Sequence, residues 1–212
     1  MKNFVLFIWL MIVVVPAWAQ SRKLDIYLVR HAKVNIDRPT VMGSKKAAEL
    51  VKAYNSAPIY DFDPAPVRGL IEAEHPKVVT SALPRAIDTA CRLFPDDSIT
   101  GYSVFNEYQL GIVRIPLIPM PYPVWTGFSR LMWLVHLNSE AESRPETKAR
   151  LQAATNLLEE LARQNSTVVL VGHGYLISEM RRELAKRGWQ IIRNGGNNNL
   201  AVSHLERTEA PN

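Results

Sequence analysis

Arg30-His31 and Gly172-His173-Gly174 each place an imidazole directly after a short apolar run, and Thr80-Ser81 leads into Pro84-Arg85 after a third such run. A neutral imidazole attacks phosphorus without a strong base to activate it. A guanidinium presents a fixed fork of donors to a phosphoryl group and keeps its charge at any working pH. A second imidazole adds a donor for the equatorial oxygens, whose negative charge must be held through the transition state. The chemistry these residue types suit is phosphoryl transfer to a histidine.

The elements needed to bring the three sites together can be read from the same chain. Leu24–Val29 alternates and then runs apolar, as a strand does, and Lys77–Thr80 and Ile99–Phe105 are further strands. Thr167–Val171 is a continuous β-branched and leucine run, suited to a strand buried on both faces. Helical spacing marks Gly43–Tyr54, the segment from Pro84 through Leu93, Trp125–Leu137, Arg144–Gln164 and Tyr175–Arg187. Ala57–Arg68 holds three prolines and reads as a loop. The Asn194–Asn199 cluster reads as a turn before a last strand, Leu200–Leu205. Strands alternating with helices predict an α/β fold, a three-layer α/β/α sandwich on a mostly parallel sheet. Ligands bind such sheets outside the carboxyl ends of the strands. His31, Ser81, Arg85 and His173 are therefore expected at one sheet edge, with helix starts adding backbone N–H groups.

The four segments Leu28–Lys33, Thr80–Ala90, Phe105–Glu107 and Val169–Gly174 resemble, in order and spacing, the histidine phosphatase (phosphoglycerate mutase-like) superfamily. The resemblance spans about residues 24 to 205. It implies that His31 is the nucleophile that becomes phosphohistidine, and that Arg30, Arg85 and His173 form the phosphate pocket. It implies Glu107 as the general acid, which protonates the leaving oxygen and then activates water. Glu72, Glu74 and Glu142 are alternative carboxylates for that cleft. Many members carry glycine directly after the nucleophile, where this chain has Ala32. Many mutase-type members carry asparagine six positions after it, where this chain has Asp37; Asn35 or Arg38 is left to join the pocket. The acid phosphatase branch has aspartate after the second histidine, where Gly174 stands.

The resemblance implies hydrolysis of a small phosphorylated substrate without a metal or other cofactor. Removal of phosphate from protein phosphohistidine and a non-catalytic phosphate- or partner-binding module are the alternatives. The 212 residues suit one domain, and 47% apolar with 21% charged residues describes a folded chain. With 25 Lys+Arg against 20 Asp+Glu, the charge is too small and too dispersed for a nucleic-acid binder. The single cysteine, Cys91, excludes an internal disulfide and a CxxC site.

Lys2, the apolar run Phe4–Val15 and Ala17-Trp18-Ala19 together describe a secretory signal peptide over residues 1–19. The domain would then occupy 20–212 and reach the periplasm or the medium. An uncleaved anchor is the alternative, although Phe4–Ala19 falls short of the roughly 20 residues that span a bilayer. An apolar insert at about 112–137, with four prolines before Val124, is expected to pack as a flap on the core or against a second subunit; a lid for an apolar or lipid-like phosphoester, or a patch resting on a membrane, is the alternative.

Overall fold

The structure is a computed structural model that describes residues 21–138 and 142–210. The expected signal peptide lies outside the described residues. Six strands form one sheet: β1 (Arg22–Arg30), β2 (Lys77–Ser81), β3 (Ile99–Tyr102), β4 (Thr167–Gly172), β5 (Gln190–Arg193) and β6 (Val202–Glu209). Their order is β3-β2-β4-β1-β6-β5. The first four in that order are parallel, and β6 runs antiparallel to both neighbours. Six α-helices accompany them: α1 (Ser44–Ser56), α2 (Ala65–Arg68), α3 (Pro84–Leu93), α4 (Tyr122–Leu134), α5 (Arg144–Asn165) and α6 (Gly174–Lys186).

The period-2 alternation of the strands builds the three layers. Leu24, Ile26 and Leu28 of β1, with Val168 and Leu170 of β4, pack on Ala154 and Leu158 of α5 and Leu176 and Met180 of α6. Tyr27 and Val29, with Val169 and Val171, turn the other way onto Ala86, Ala90 and Leu93 of α3. β4 is apolar on both faces because both are covered.

The departures from the sequence-based expectations have local causes. The segment after Tyr102 leaves the sheet as a single 3-10 turn, Ser103–Phe105, which drops Phe105 into the core. Ala65–Arg68 forms a helical turn inside the proline-rich loop, with Pro66 in its first turn, where the missing N–H costs nothing. Helix α4 begins three residues before the expected Trp125 for the same reason, taking Pro123 into its first turn. Strand β5, only Gln-Ile-Ile-Arg, carries too few residues to show a period and forms by pairing with β6. The long helix α5 starts at a capping box, in which the Ser143 hydroxyl accepts from Glu146 N–H and the Glu146 carboxylate accepts from Ser143 N–H at 3.0 Å.

The apolar insert packs on the domain, as the flap expectation has it. Trp125 is fully buried with Met42, Ala47, Leu50 and Ile112 in a third cluster, and its indole N–H donates to the Met42 carbonyl at 2.7 Å. The Met42 and Met120 backbones exchange two 3.0 Å hydrogen bonds that tie the insert to the segment before α1. The opposite side of the insert, including Leu117, Leu131 and Leu137, is exposed. Among the described residues, no helix is long and apolar enough to cross a membrane.

Candidate active site

Parallel pairing of β2, β4 and β1 brings their carboxyl ends to one edge, with Arg30 in register with Gly172 and Thr80 with Val171. His31 follows β1 directly, and its backbone N–H donates to the Gly172 carbonyl at 2.9 Å. Its own carbonyl accepts from the Asn199 amide at 2.9 Å. The Ala32 N–H donates to Thr89 Oγ1 at 3.0 Å, and the Thr89 hydroxyl in turn donates to the Arg85 carbonyl at 2.6 Å. The nucleophile loop is thereby fastened to β4, to α3 and to the Asn194–Asn199 turn.

The His31 ring is buried, with Nδ1 2.7 Å from the Ala32 carbonyl oxygen. A carbonyl only accepts, so Nδ1 carries the proton and Nε2 keeps the lone pair. Burial pushes the imidazole down to about 3; the bond to Ala32 opposes this, and the Arg85 and Arg30 cations add to it. The ring is neutral in ordinary buffers, the form a nucleophile requires.

His173 stands beside it, with ring centroids 5.1 Å apart. Its Nε2 lies 2.7 Å from Ser81 Oγ, which also accepts from Leu83 N–H at 3.2 Å. The Ser81 hydroxyl has one proton and a second lone pair; when its proton is given to Nε2, the ring proton of His173 falls on Nδ1. Burial, with the neighbouring Arg85, holds His173 well below the ordinary histidine range.

Arg85 is buried, donates to Asn55 Oδ1 at 3.1 Å and lies 4.9 Å over the Tyr54 ring. Arg30 bonds the Asn197 carbonyl through Nη1 and fills the space above Gly174. Three buried nitrogens here have no hydrogen-bond partner: Arg30 Nε, Arg85 Nε and His173 Nδ1. Unpaired buried polar atoms are costly, and the Arg85 and Arg30 cations lie close enough to His31 to act on its ring.

Glu107 lines a cleft of about 800 Å³ that also takes in Arg85. Its Oε1 accepts from Tyr108 N–H at 3.1 Å and Leu176 N–H at 3.3 Å, and its Oε2 from Tyr175 N–H at 3.2 Å. Glu107 thus takes the Tyr175 and Leu176 N–H groups at the start of α6. At the start of α3, Pro84 has no N–H and the N-cap residue Leu83 donates to Ser81.

Of the alternative carboxylates, Glu72 and Glu74 do not line this cleft. Glu142 does, but Arg150 holds both of its oxygens. Asn35 is exposed and touches its surroundings through its backbone N–H, which donates to the Pro58 carbonyl at 2.8 Å. Arg38, by contrast, lies 5.4 Å from the rings of both Tyr54 and Tyr122, two residues of the cleft wall. The roles of Tyr54, Asn55 and Asn199 are not legible in the chain, since each acts on the site from a segment distant in sequence. Proline and asparagine punctuation marks where those segments turn, not what they touch.

Asp25, His204 and Glu206 at the other end of the sheet are the one trio among the described residues with metal-ligand proximity. Lys23 already bridges it, 2.8 Å from Glu206 and 3.6 Å from Asp25, and His204 Nε2 lies 2.7 Å from Asp25.

The chain is similar to known proteins in sequence and in fold. The sequence model of the histidine phosphatase superfamily (branch 1) matches residues 67–211. No curated protein matches the sequence. Among solved structures, a mycobacterial glucosyl-3-phosphoglycerate phosphatase is similar at 20% identity and TM-score 0.57, over 87% of this chain and 91% of that one. A phosphoglycerate mutase from Bacillus anthracis is similar at 17% and 0.58, over 90% and 92%. A phosphoserine phosphatase from Entamoeba histolytica, in complex with 3-phosphoglyceric acid, is similar at 16% and 0.53, over 85% and 89%. At these identities the structures share the fold.

Proposed function

The chain belongs to the histidine phosphatase superfamily, branch 1, and from that premise we propose that it hydrolyses phosphomonoesters through a phosphohistidine on His31. The observation that carries this reading is the set of three unpaired buried nitrogens on Arg30, Arg85 and His173 around a neutral imidazole. In the first step, His31 Nε2 bonds phosphorus as the ester P–O bond breaks. The leaving oxygen takes its proton from Glu107. In the second step Glu107 takes a proton from water, the water oxygen bonds phosphorus, and the P–N bond breaks to release phosphate. Arg30, Arg85 and His173 hold the three equatorial oxygens throughout.

The apolar run Phe4–Val15 followed by Ala17-Trp18-Ala19 supports export, with a mature chain that starts at Gln20 and acts in the periplasm or the medium. N-terminal sequencing of that fraction tests this part. The activity is tested with purified protein and a generic aryl phosphate in the presence of a chelator. Turnover that His31→Ala abolishes supports the reading; phosphate binding without turnover points to a binding module instead.

A further inference from the structure

Helix α4 is apolar on two opposite sides. Trp125, Ser129 and Trp133 recur at helical spacing and are buried against the domain. Val124, Phe128, Leu131 and Val135 recur at the same spacing on the other side, where Val124, Leu131 and Val135 are 48%, 53% and 50% exposed. Leu134 and, just past the helix, Leu137 are exposed as well. In front of the helix, Pro116 and Pro119 bracket Leu117 and Ile118, and Leu117 is fully exposed. A helix lying on a domain ordinarily turns polar residues outward. Single exposed aliphatics are common, but a continuous stripe of them marks a surface that something covers.

The charges around the stripe have one sign. Between Glu107 and Glu140 the chain carries no acidic residue, while Arg114 and Arg130 fall within that stretch. At the end of α4, Leu134 shares a hollow with Arg144 and Lys148 of α5. Both cations are exposed, and among the described residues no carboxylate pairs with either. Glu179, the one carboxylate lining that hollow, bonds Arg182.

We infer that the outward stripe of α4, with the loop before it, rests on the surface of an anionic lipid bilayer. The aliphatic side chains enter the acyl boundary, and Arg144 and Lys148 at the rim meet lipid phosphates. A second copy fits these charges worse. A two-fold contact would set the cationic rim against itself, with no carboxylate on the insert to pair it. Neither the stripe nor its rim touches His31, so this docking stands or falls apart from the phosphatase reading. Tyr122 and Arg130 do line the active-site cleft, so docking holds one wall of the cleft beside the bilayer.

A local probe tests this in the whole chain. Cys91→Ser removes the single native thiol, which is exposed on α3. Leu131→Cys or Val135→Cys then carries a polarity-sensitive dye on the stripe, and Lys186→Cys carries it at the far end of α6 as the control. Vesicles of phosphatidylcholine mixed with phosphatidylglycerol shift the dyes at 131 and 135 to the blue and leave the dye at 186 in water. Phosphatidylcholine alone requires roughly tenfold more lipid for the same shift, the scale of two cations near an anionic surface. Arg144→Ala combined with Lys148→Ala removes that difference. Val124→Asp, exposed in the first turn of α4, abolishes the shift, and the thermal midpoint checks that each variant folds. Binding through Phe4–Val15 alone leaves the dyes at 131 and 135 in water, which overturns the inference. Equal shifts at 131 and 186, an equal response to the two vesicle types, or a full shift in Val124→Asp overturn it too. So does a blue shift without lipid that grows with protein concentration, which assigns the stripe to a second copy.

Discussion

Gly174 gives Arg30 its room: a Cβ at position 174 would lie 3.0 Å from Arg30 Nε and 3.1 Å from Cζ. The nitrogen so crowded is one of the three left without a partner beside His31. Gly174→Ala therefore pushes the guanidinium off its position and lowers kcat/KM roughly tenfold, within the range expected for a displaced donor. Steady-state kinetics on an aryl phosphate, with the thermal midpoint as a check on folding, measure the loss. Full activity in Gly174→Ala would mean that the placement of Arg30 does not serve the phosphoryl group.

Glu107→Gln separates two duties of one side chain. The amide keeps one oxygen for the Tyr108 and Leu176 N–H groups, sets its NH2 against the Tyr175 N–H, and carries no acidic proton for the leaving alkoxide. Turnover of alkyl phosphates falls by about 100-fold or more, the scale of general acid catalysis, and turnover of aryl phosphates falls far less. Equal losses on the two substrates would remove Glu107 from the role of acid.

Protonation of His31 sets a pH dependence of stability. Burial holds the folded-state ring at about 3, whereas an unfolded histidine titrates near 6.5. Between these values the unfolded chain binds more protons, so this contribution is full above about pH 6.5 and is lost as the pH falls toward 3. His173 is shifted in the same direction by burial. Urea midpoints at pH 7.5 and pH 4.5 should fall with acid in the wild type, and fall less in His31→Gln. An unchanged slope in the variant would show that His31 is not held neutral by burial. The acid limb of the activity profile, down to about pH 4, belongs to some other group.

The insert depends on Trp125. It is fully buried between α1 and the 112–124 segment, and its N–H is bonded to Met42. Trp125→Ala should cost about 3–5 kcal/mol, the range for emptying a large aromatic from a core. Chemical denaturation measures it; a loss below about 1 kcal/mol would mean the insert is not part of the cooperative unit.

How much the sequence reveals follows from how local each signal is. His31, Arg85 and His173 sit next to the strands and helix that position them, so strand ends and a proline-started helix locate all three from the chain alone. The apolar run of β4 likewise declares a doubly covered sheet. Asn55 and Tyr54 act on Arg85 from another helix, and Asn199 reaches His31 across 168 positions. No periodicity encodes such contacts. The family resemblance points to Glu107 as the acid, but its bonds to the start of α6 join segments 68 and 69 positions apart in the chain. Asn35 is nearer than Arg38 to the nucleophile in sequence and both are exposed, yet it is Arg38 that lies beside the cleft tyrosines.

The most direct test asks where phosphorus goes. The protein is mixed with a phosphorus-labelled aryl phosphate and quenched in alkaline denaturant within the first turnovers, and the labelled peptide is identified. The label should be found on His31, stable to base and labile to acid, and absent from His31→Ala. Continuing turnover with no label on the chain, or with label on another residue, would contradict nucleophilic catalysis by His31.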